Sequence, residues 1–197
     1  MVAAYHLIWT AYGWWLPNDP RGSMSEGVAI ERIAELGPHH YGRKVVQPSS
    51  AALRDFYDRA DGVLKHELLR FDIDQVQLIG RAFDSIVDAR KYTCYACAIM
   101  PDHVHLLIRK HREKAEEMIT NLQEASRSAL VEAGHRSDDH PVWGGPGWKV
   151  FQHSPKQIET TIRYIRDNPI KIGRPVQNWP FVIEYDGWMP GRPPHLR

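Results

Sequence analysis

The order of periodic segments in this sequence predicts an α+β fold, in which an antiparallel sheet carries helices on one face. Three observations predict it. Short runs rich in β-branched and aromatic residues recur at 3–12, 92–100, 103–109 and 148–152. Longer runs with apolar residues at helical spacing lie between and after them. The second and third β-rich runs are separated only by Pro101-Asp102, a connection that lets strands pair only as an antiparallel hairpin.

The first strand, Ala3 to Tyr12, is ended by Gly13 and by the turn-rich stretch Pro17-Asn-Asp-Pro-Arg-Gly22. Periodicity is poor from there to Ser50, which reads as an insertion at about 17–50 with a short helix from Glu26 to Leu36. Leu53, Phe56, Tyr57, Ala60, Val63 and Leu64 share one helical face, and Ile73, Val76, Ile79, Phe83, Ile86 and Val87 another. They make two helices, or one helix broken near Phe71-Asp72. After the hairpin, Arg112 to Ala133 reads as a long helix, His135 to Gly147 as a glycine-rich loop, and Trp148 to Gln152 as a last short strand. The final helix opens with Ser154 as N-cap, Pro155 in the first helical position and Gln157 completing a capping box. Ile158, Ile162 and Ile165 form its apolar face, Gln157, Thr160, Thr161, Tyr164 and Asn168 the polar one. Pro169 is expected to close it, because the residue before a proline avoids helical conformation. A tail from about 170 is expected to wrap over the body through Trp179, Phe181, Tyr185 and Trp188. Strand, helices, strand, strand, helix, strand, helix is a ferredoxin-like order, with the 103–109 strand central in the sheet.

With 197 residues and 43% hydrophobic content, the chain supports one core, so a single domain over 1–197 is expected. Lys plus Arg number 25 against 24 acids, so overall charge advertises no polyanionic partner. The distribution says more. Beyond residue 140, Lys149, Lys156, Arg163, Arg166, Lys171, Arg174, Arg192 and Arg197 face only Glu159, Asp167, Glu184 and Asp186. Arg109, Lys110, Arg112 and Lys114 follow the hairpin. No segment approaches the ~20 apolar residues of a membrane span, and the amino terminus has no basic-then-apolar leader pattern; a soluble, cytoplasmic protein is expected. Cys94 and Cys97 have metal-site spacing, but no second pair accompanies them, and positions three apart on a strand point to opposite faces. They read as buried, reduced thiols.

His103-Val-His105 and Tyr164-x-x-x-Asn168 are the constellation that carries chemistry. Histidines two apart on a strand point the same way and can share one cation; residues four apart on a helix are neighbours. Two imidazoles and an amide oxygen leave a divalent cation with open positions, suited to Mg²⁺ or Mn²⁺ and to polarising a phosphodiester. A phenol ionises only near pH ~10, so a tyrosine nucleophile benefits from such a cation nearby. A tyrosine ester formed with a phosphate conserves the energy of the broken bond, so a hydroxyl can later displace the tyrosine and rejoin the strand.

The string Ile99-Met-Pro-Asp-His-Val-His-Leu-Leu-Ile108, with Tyr164-Ile-Arg-Asp-Asn-Pro-Ile-Lys-Ile-Gly173, resembles the single-tyrosine HUH transposases, most closely those called REP-associated tyrosine transposases. Tyr5-His-Leu-Ile-Trp-Thr-Ala-Tyr-Gly-Trp-Trp-Leu16 and Asn178-Trp-Pro-Phe181 resemble that group as well. The resemblance implies that His103 and His105 are metal ligands, that Asn168 takes the place of a third, polar ligand, and that Tyr164 becomes linked to a 5′ phosphate while a 3′ hydroxyl is released. It implies single-stranded DNA, commonly beside hairpins, as the partner, and leaves a homodimer open. Such DNA is held by a basic groove and by bases stacked on aromatic rings. Arg109, Lys149, Arg163 and Arg166 are the candidate basic contacts. Trp143 and Trp148 are candidate platforms, of which Trp148 is retained.

Other readings of these residues stay open. A metal nuclease using water would keep the histidines without a covalent adduct, and a DNA-binding regulator would have lost catalysis. Asn168, directly before Pro169, is also placed to cap a helix, though the ligand role is the one favoured. The remaining histidines, His6 among them, show no defined spacing and are left outside the site.

Overall fold

The structure, a computed structural model, describes residues 1–23, 31–42 and 44–191. Among them the elements run β1 (Ala4–Thr10), α1 (Glu31–Ala34), α2 (Ser50–Val63), α3 (Ile73–Arg90), β2 (Cys94–Ile99), β3 (His103–Arg109), α4 (Ala115–Glu132), β4 (Trp148–Gln152) and α5 (Pro155–Lys171). The strands form one antiparallel sheet in the order β2-β3-β1-β4. That is the ferredoxin-like arrangement, with α3 and α4 as the two crossover helices and β3 held on both sides.

The helices, expected on one face, divide between both. Leu7 and Trp9 of β1, Val104, Leu106 and Ile108 of β3 and Ile99 of β2 pack with Ile79 and Phe83 of α3 and Met118 and Leu122 of α4. The alternate residues Ala4, Ala96, Ala98 and Leu107 face the other way, against Ile158 and Ile165 of α5. Burial on both sides explains why β2 and β3 are nearly continuous in apolar residues rather than alternating. The small alanines on the second side let α5 lie close to the sheet.

Asp72 caps α3 with a reciprocal box: its carboxylate accepts from Gln75 N–H at 2.8 Å while Gln75 Oε1 accepts from Asp72 N–H at 3.2 Å. The chain therefore makes two helices here rather than one broken helix. The expected Glu26–Leu36 helix is represented by the single turn of α1, its earlier part lying outside the described residues. Ile33 and Leu36 pack with Leu16 and with Phe56, Tyr57 and Ala60 of α2 in a separate small cluster. Arg192 and Arg197 also lie outside the described residues.

Two local readings are corrected. A register shift between Cys94 and Ala96 interrupts the alternation of β2, so Cys94 and Cys97 enter the same core cluster instead of opposite faces; both are buried and free. Pro169 does not close α5, which runs on to Lys171 with Ile172 as its C-cap. Proline there removes only the bond to the Ile165 carbonyl, a tolerable loss in a last turn. The turn is closed by Arg174 N–H donating to the Pro169 carbonyl at 3.0 Å, with Gly173 in the left-handed region at φ 72°.

The tail packs as expected. Trp179 and Phe181 join the main core, and Tyr185 and Trp188 pack on the α5 side. It also seals the β2 edge: the Gln177 amide bonds both N–H and C=O of Ile99 at 2.8 Å, and Ile183 N–H donates to the Cys94 carbonyl at 2.9 Å. No helix among the described residues is long and apolar enough to cross a membrane.

Candidate active site

β3 presents His103 and His105 on the side of the sheet that carries α5, with ring centroids 4.8 Å apart. A third imidazole joins them. His6 of β1 stands opposite Leu107, diagonal to His105 across the β1–β3 pair, a spacing that long side chains bridge. Its Nε2 lies 3.0 Å from His105 Nδ1. His6 was invisible as a site residue because no local spacing joins residue 6 to residue 105; only the sheet register does.

The outer nitrogens of both β3 histidines are thus engaged. His103 Nδ1 is 2.6 Å from Asp102 Oδ1 in the hairpin turn. Burial alone would raise the Asp102 carboxyl, but the hydrogen bond and charge of His103, with Arg70 and Arg21, outweigh it and hold the group below its ordinary range. Asp102 is therefore an acceptor, and His103 donates Nδ1–H to it. Burial pushes His105 well below the usual imidazole range, helped by the charges of His103, His6 and Lys171, and burial lowers His6 to about 4. Both are neutral near pH 7, the form in which an imidazole has a lone pair to give.

α5 brings the phenol. Tyr164 is half-exposed on the flank of the isoleucine face, and its ring centroid lies 5.4 Å from that of His105 and 6.0 Å from that of His6. Asn168, one turn on, is buried. It is an interior helical residue, so the capping role falls away. Because α5 continues past Pro169, Lys171 lines up with both: its ammonium donates to Asn168 Oδ1 at 2.9 Å and lies 4.4 Å from the Tyr164 ring centroid.

A divalent cation suits this donor set. No group of three or more His, Cys, Asp or Glu able to hold a metal occurs among the described residues, so a cation here would need the amide oxygen beside the two imidazoles. The Lys171 ammonium already places a positive charge on that oxygen, near enough to lower His105, so Asn168 Oδ1 is an oxygen that accepts a cationic partner; its buried, unpartnered Nδ2 is a donor and adds no ligand.

The chain just after β1, with the start of the insertion, packs against His103. Trp15, at φ 52°, sets its ring edge-on to His103 with centroids 5.4 Å apart, and the Arg21 guanidinium lies 3.7 Å from the Trp15 ring centroid. Arg21 is held by Asp19 at 2.7 Å, and the Tyr57 hydroxyl donates to the same carboxylate. His6, Trp15, Asp102 and Lys171 fall inside the strings that carry the family resemblance, but no local spacing marks them, or Arg21, as site residues.

The family model for IS200-like transposases matches residues 65–168, more than half of the chain, including both β3 histidines, Tyr164 and Asn168. The chain belongs to that family. It is a transposase, an enzyme of DNA strand transfer. No curated protein matches it. Among solved structures it is similar to a REP-associated tyrosine transposase bound to a REP hairpin, at 11% identity and TM-score 0.46, covering 87% of this chain and 68% of that one. It is also similar to a candidate transposase from Deinococcus radiodurans, at 13% identity and TM-score 0.36, covering 89% and 94%.

The expected DNA contacts of this transposase are not gathered at the histidines. Arg109 sits at the far end of β3, 3.6 Å from Asp186 and with its guanidinium 3.7 Å from the Trp188 ring centroid. Lys149 pairs with Glu116. Arg163 and Arg166 are exposed on α5, and Arg166 lines a 390 Å³ cleft against the tail. The two tryptophans part company. Trp143 packs on Phe71 and Trp9 and donates to the Gln123 carbonyl at 3.0 Å, whereas Trp148 is 41% exposed on β4, which pairs with β1 alone.

Proposed function

We propose that this transposase cuts and rejoins single-stranded DNA with Tyr164 as nucleophile, next to a divalent cation, Mg²⁺ or Mn²⁺, held by His103, His105 and Asn168. The observation that carries the reading is the approach of the Tyr164 ring to His105, whose Nε2 is left for a ligand when Nδ1 is engaged by His6. In the cleavage step the Tyr164 oxygen bonds to phosphorus and loses its proton, the bond from phosphorus to the 3′ oxygen breaks, and that oxygen leaves as a 3′ hydroxyl. The 5′-phosphotyrosine is reversed when another 3′ hydroxyl attacks it. A bound cation would draw charge from the non-bridging oxygens. The Lys171 ammonium lies against the Tyr164 ring, and Asp102 and His6 keep the imidazoles oriented.

Hairpin-bearing single strands are the substrate class that the sequence resemblance implies. Trp148, exposed two strands from the histidines, offers an apolar ring on which a base could stack; Arg163, Arg166, Lys149 and Arg109, spread over other parts of the surface, are offered as backbone contacts. Incubation with end-labelled hairpin DNA and Mn²⁺, followed by a denaturing gel, tests the reading. A protein–DNA adduct present in the native chain and lost in Tyr164→Phe is expected. Cleavage without an adduct would instead make the enzyme a water-using nuclease, and binding without cleavage a regulator.

A further inference from the structure

We infer that His6 is a positioning residue, which accepts a hydrogen bond from His105 Nδ1–H and so fixes His105 in the tautomer that offers Nε2 to a metal cation. The inference rests on the proposed cation site and adds a residue to it. A buried histidine pair with nitrogens 3.0 Å apart shares one proton along the contact. If His6 donated it, His105 would carry its own proton on Nε2 and could not ligate. If His6 accepts, the Nε2 lone pair is free. The second arrangement puts His105 on the same footing as His103, whose Nδ1–H is committed to Asp102 at 2.6 Å. Each β3 imidazole then has an acceptor behind it and a lone pair ahead. Such partners fix ring orientation and raise ligand basicity.

The placement supports a positioning role over a ligating one. His6 Nε2 points at His105 Nδ1, away from the lone pair that would bind, and the ring is 7% exposed. Its hold on Tyr164 is only an edge contact at 6.0 Å between centroids.

Two measurements test this. Long-range ¹H–¹⁵N spectra of the metal-free protein should show His105 protonated on Nδ1, and a His105 protonated on Nε2 would overturn the inference whether or not metal binds. Mn²⁺ titration followed by electron paramagnetic resonance should show His6→Phe, which packs but cannot accept, weakened about 10–100-fold. His6→Gln, whose Oε1 stands where Nε2 was, should recover to within a few-fold of the native chain. Equal weakening in both variants, or none in His6→Phe, would refute the positioning role. If the native chain fails to bind Mn²⁺, the cation reading falls by itself, and the tautomer spectrum still decides on His6.

Discussion

Lys171 holds the amide oxygen that a metal would need. Its ammonium and a divalent cation would compete for Asn168 Oδ1, and the two charges repel, so cation binding must displace the lysine or share the oxygen with it at a cost. Lys171 is exposed, so solvent reduces that cost to roughly 1 kcal/mol. Lys171→Met is therefore expected to bind Mn²⁺ about fivefold more tightly than the native chain. Titration by electron paramagnetic resonance measures it, and weaker binding in the variant would mean that the ammonium assists the cation instead of competing. The residues of this site differ sharply in how far the sequence reveals them. His103 and His105 are legible because a strand's period of two makes their shared face a local fact. Lys171 was hidden behind Pro169, which local preference marks as a helix end but which a last turn accommodates. His6, Asp102 and Arg21 become site residues only through pairing, turn geometry and packing, none of which has a local spacing.

At the scale of elements, the tether of α5 decides whose tyrosine meets whose histidines. Only His153 and Ser154 separate β4 from α5, and two residues span at most ~7 Å. Ser154 Oγ accepts from Gln157 N–H at 3.3 Å, and Gln157 Oε1 accepts from His153 N–H at 2.7 Å, which closes the connection tightly. Ile158 and Ile165, fully buried against the sheet, hold the helix to its own chain's sheet. Mixing Tyr164→Phe with His103→Ala should accordingly yield no adduct above either variant alone. Recovery of adduct in the mixture would mean that α5 exchanges between chains. The element order, both hairpin strands and the start of α5 were all readable, because caps, periods and turn residues act within a few positions. The face on which α5 lies was not, since its isoleucines would pack equally well on either side of a sheet. What selects the side is the row of alanines on β1 and β2, and that row becomes visible only once the strands are in register.

For the molecule as a whole, the two edges of the sheet have different fates. β4 pairs on one side only and exposes Trp148, Val150 and Phe151, while β2 is sealed by the tail through Gln177 and Ile183. Cys94 and Cys97 lie behind that seal. Burial pushes the Cys94 thiol up to about 12 and Cys97 well above its ordinary range, whereas both would ionise near ~8.5 in an unfolded chain. A folded-state value raised above the unfolded one contributes stability that is fully present below pH ~8.5 and is lost as pH rises toward the folded value. Denaturant midpoints should therefore decline from about pH 8.5 upward, and less steeply in a Cys94→Ala, Cys97→Ala double variant. Because the thiolate is the reactive form, a disulfide reagent at pH 8 should label neither cysteine in the native state, and both together when guanidinium unfolds the chain. Labelling of Cys94 alone under native conditions would show that the tail lifts from β2 without global unfolding, and that the sealed edge is the weaker of the two.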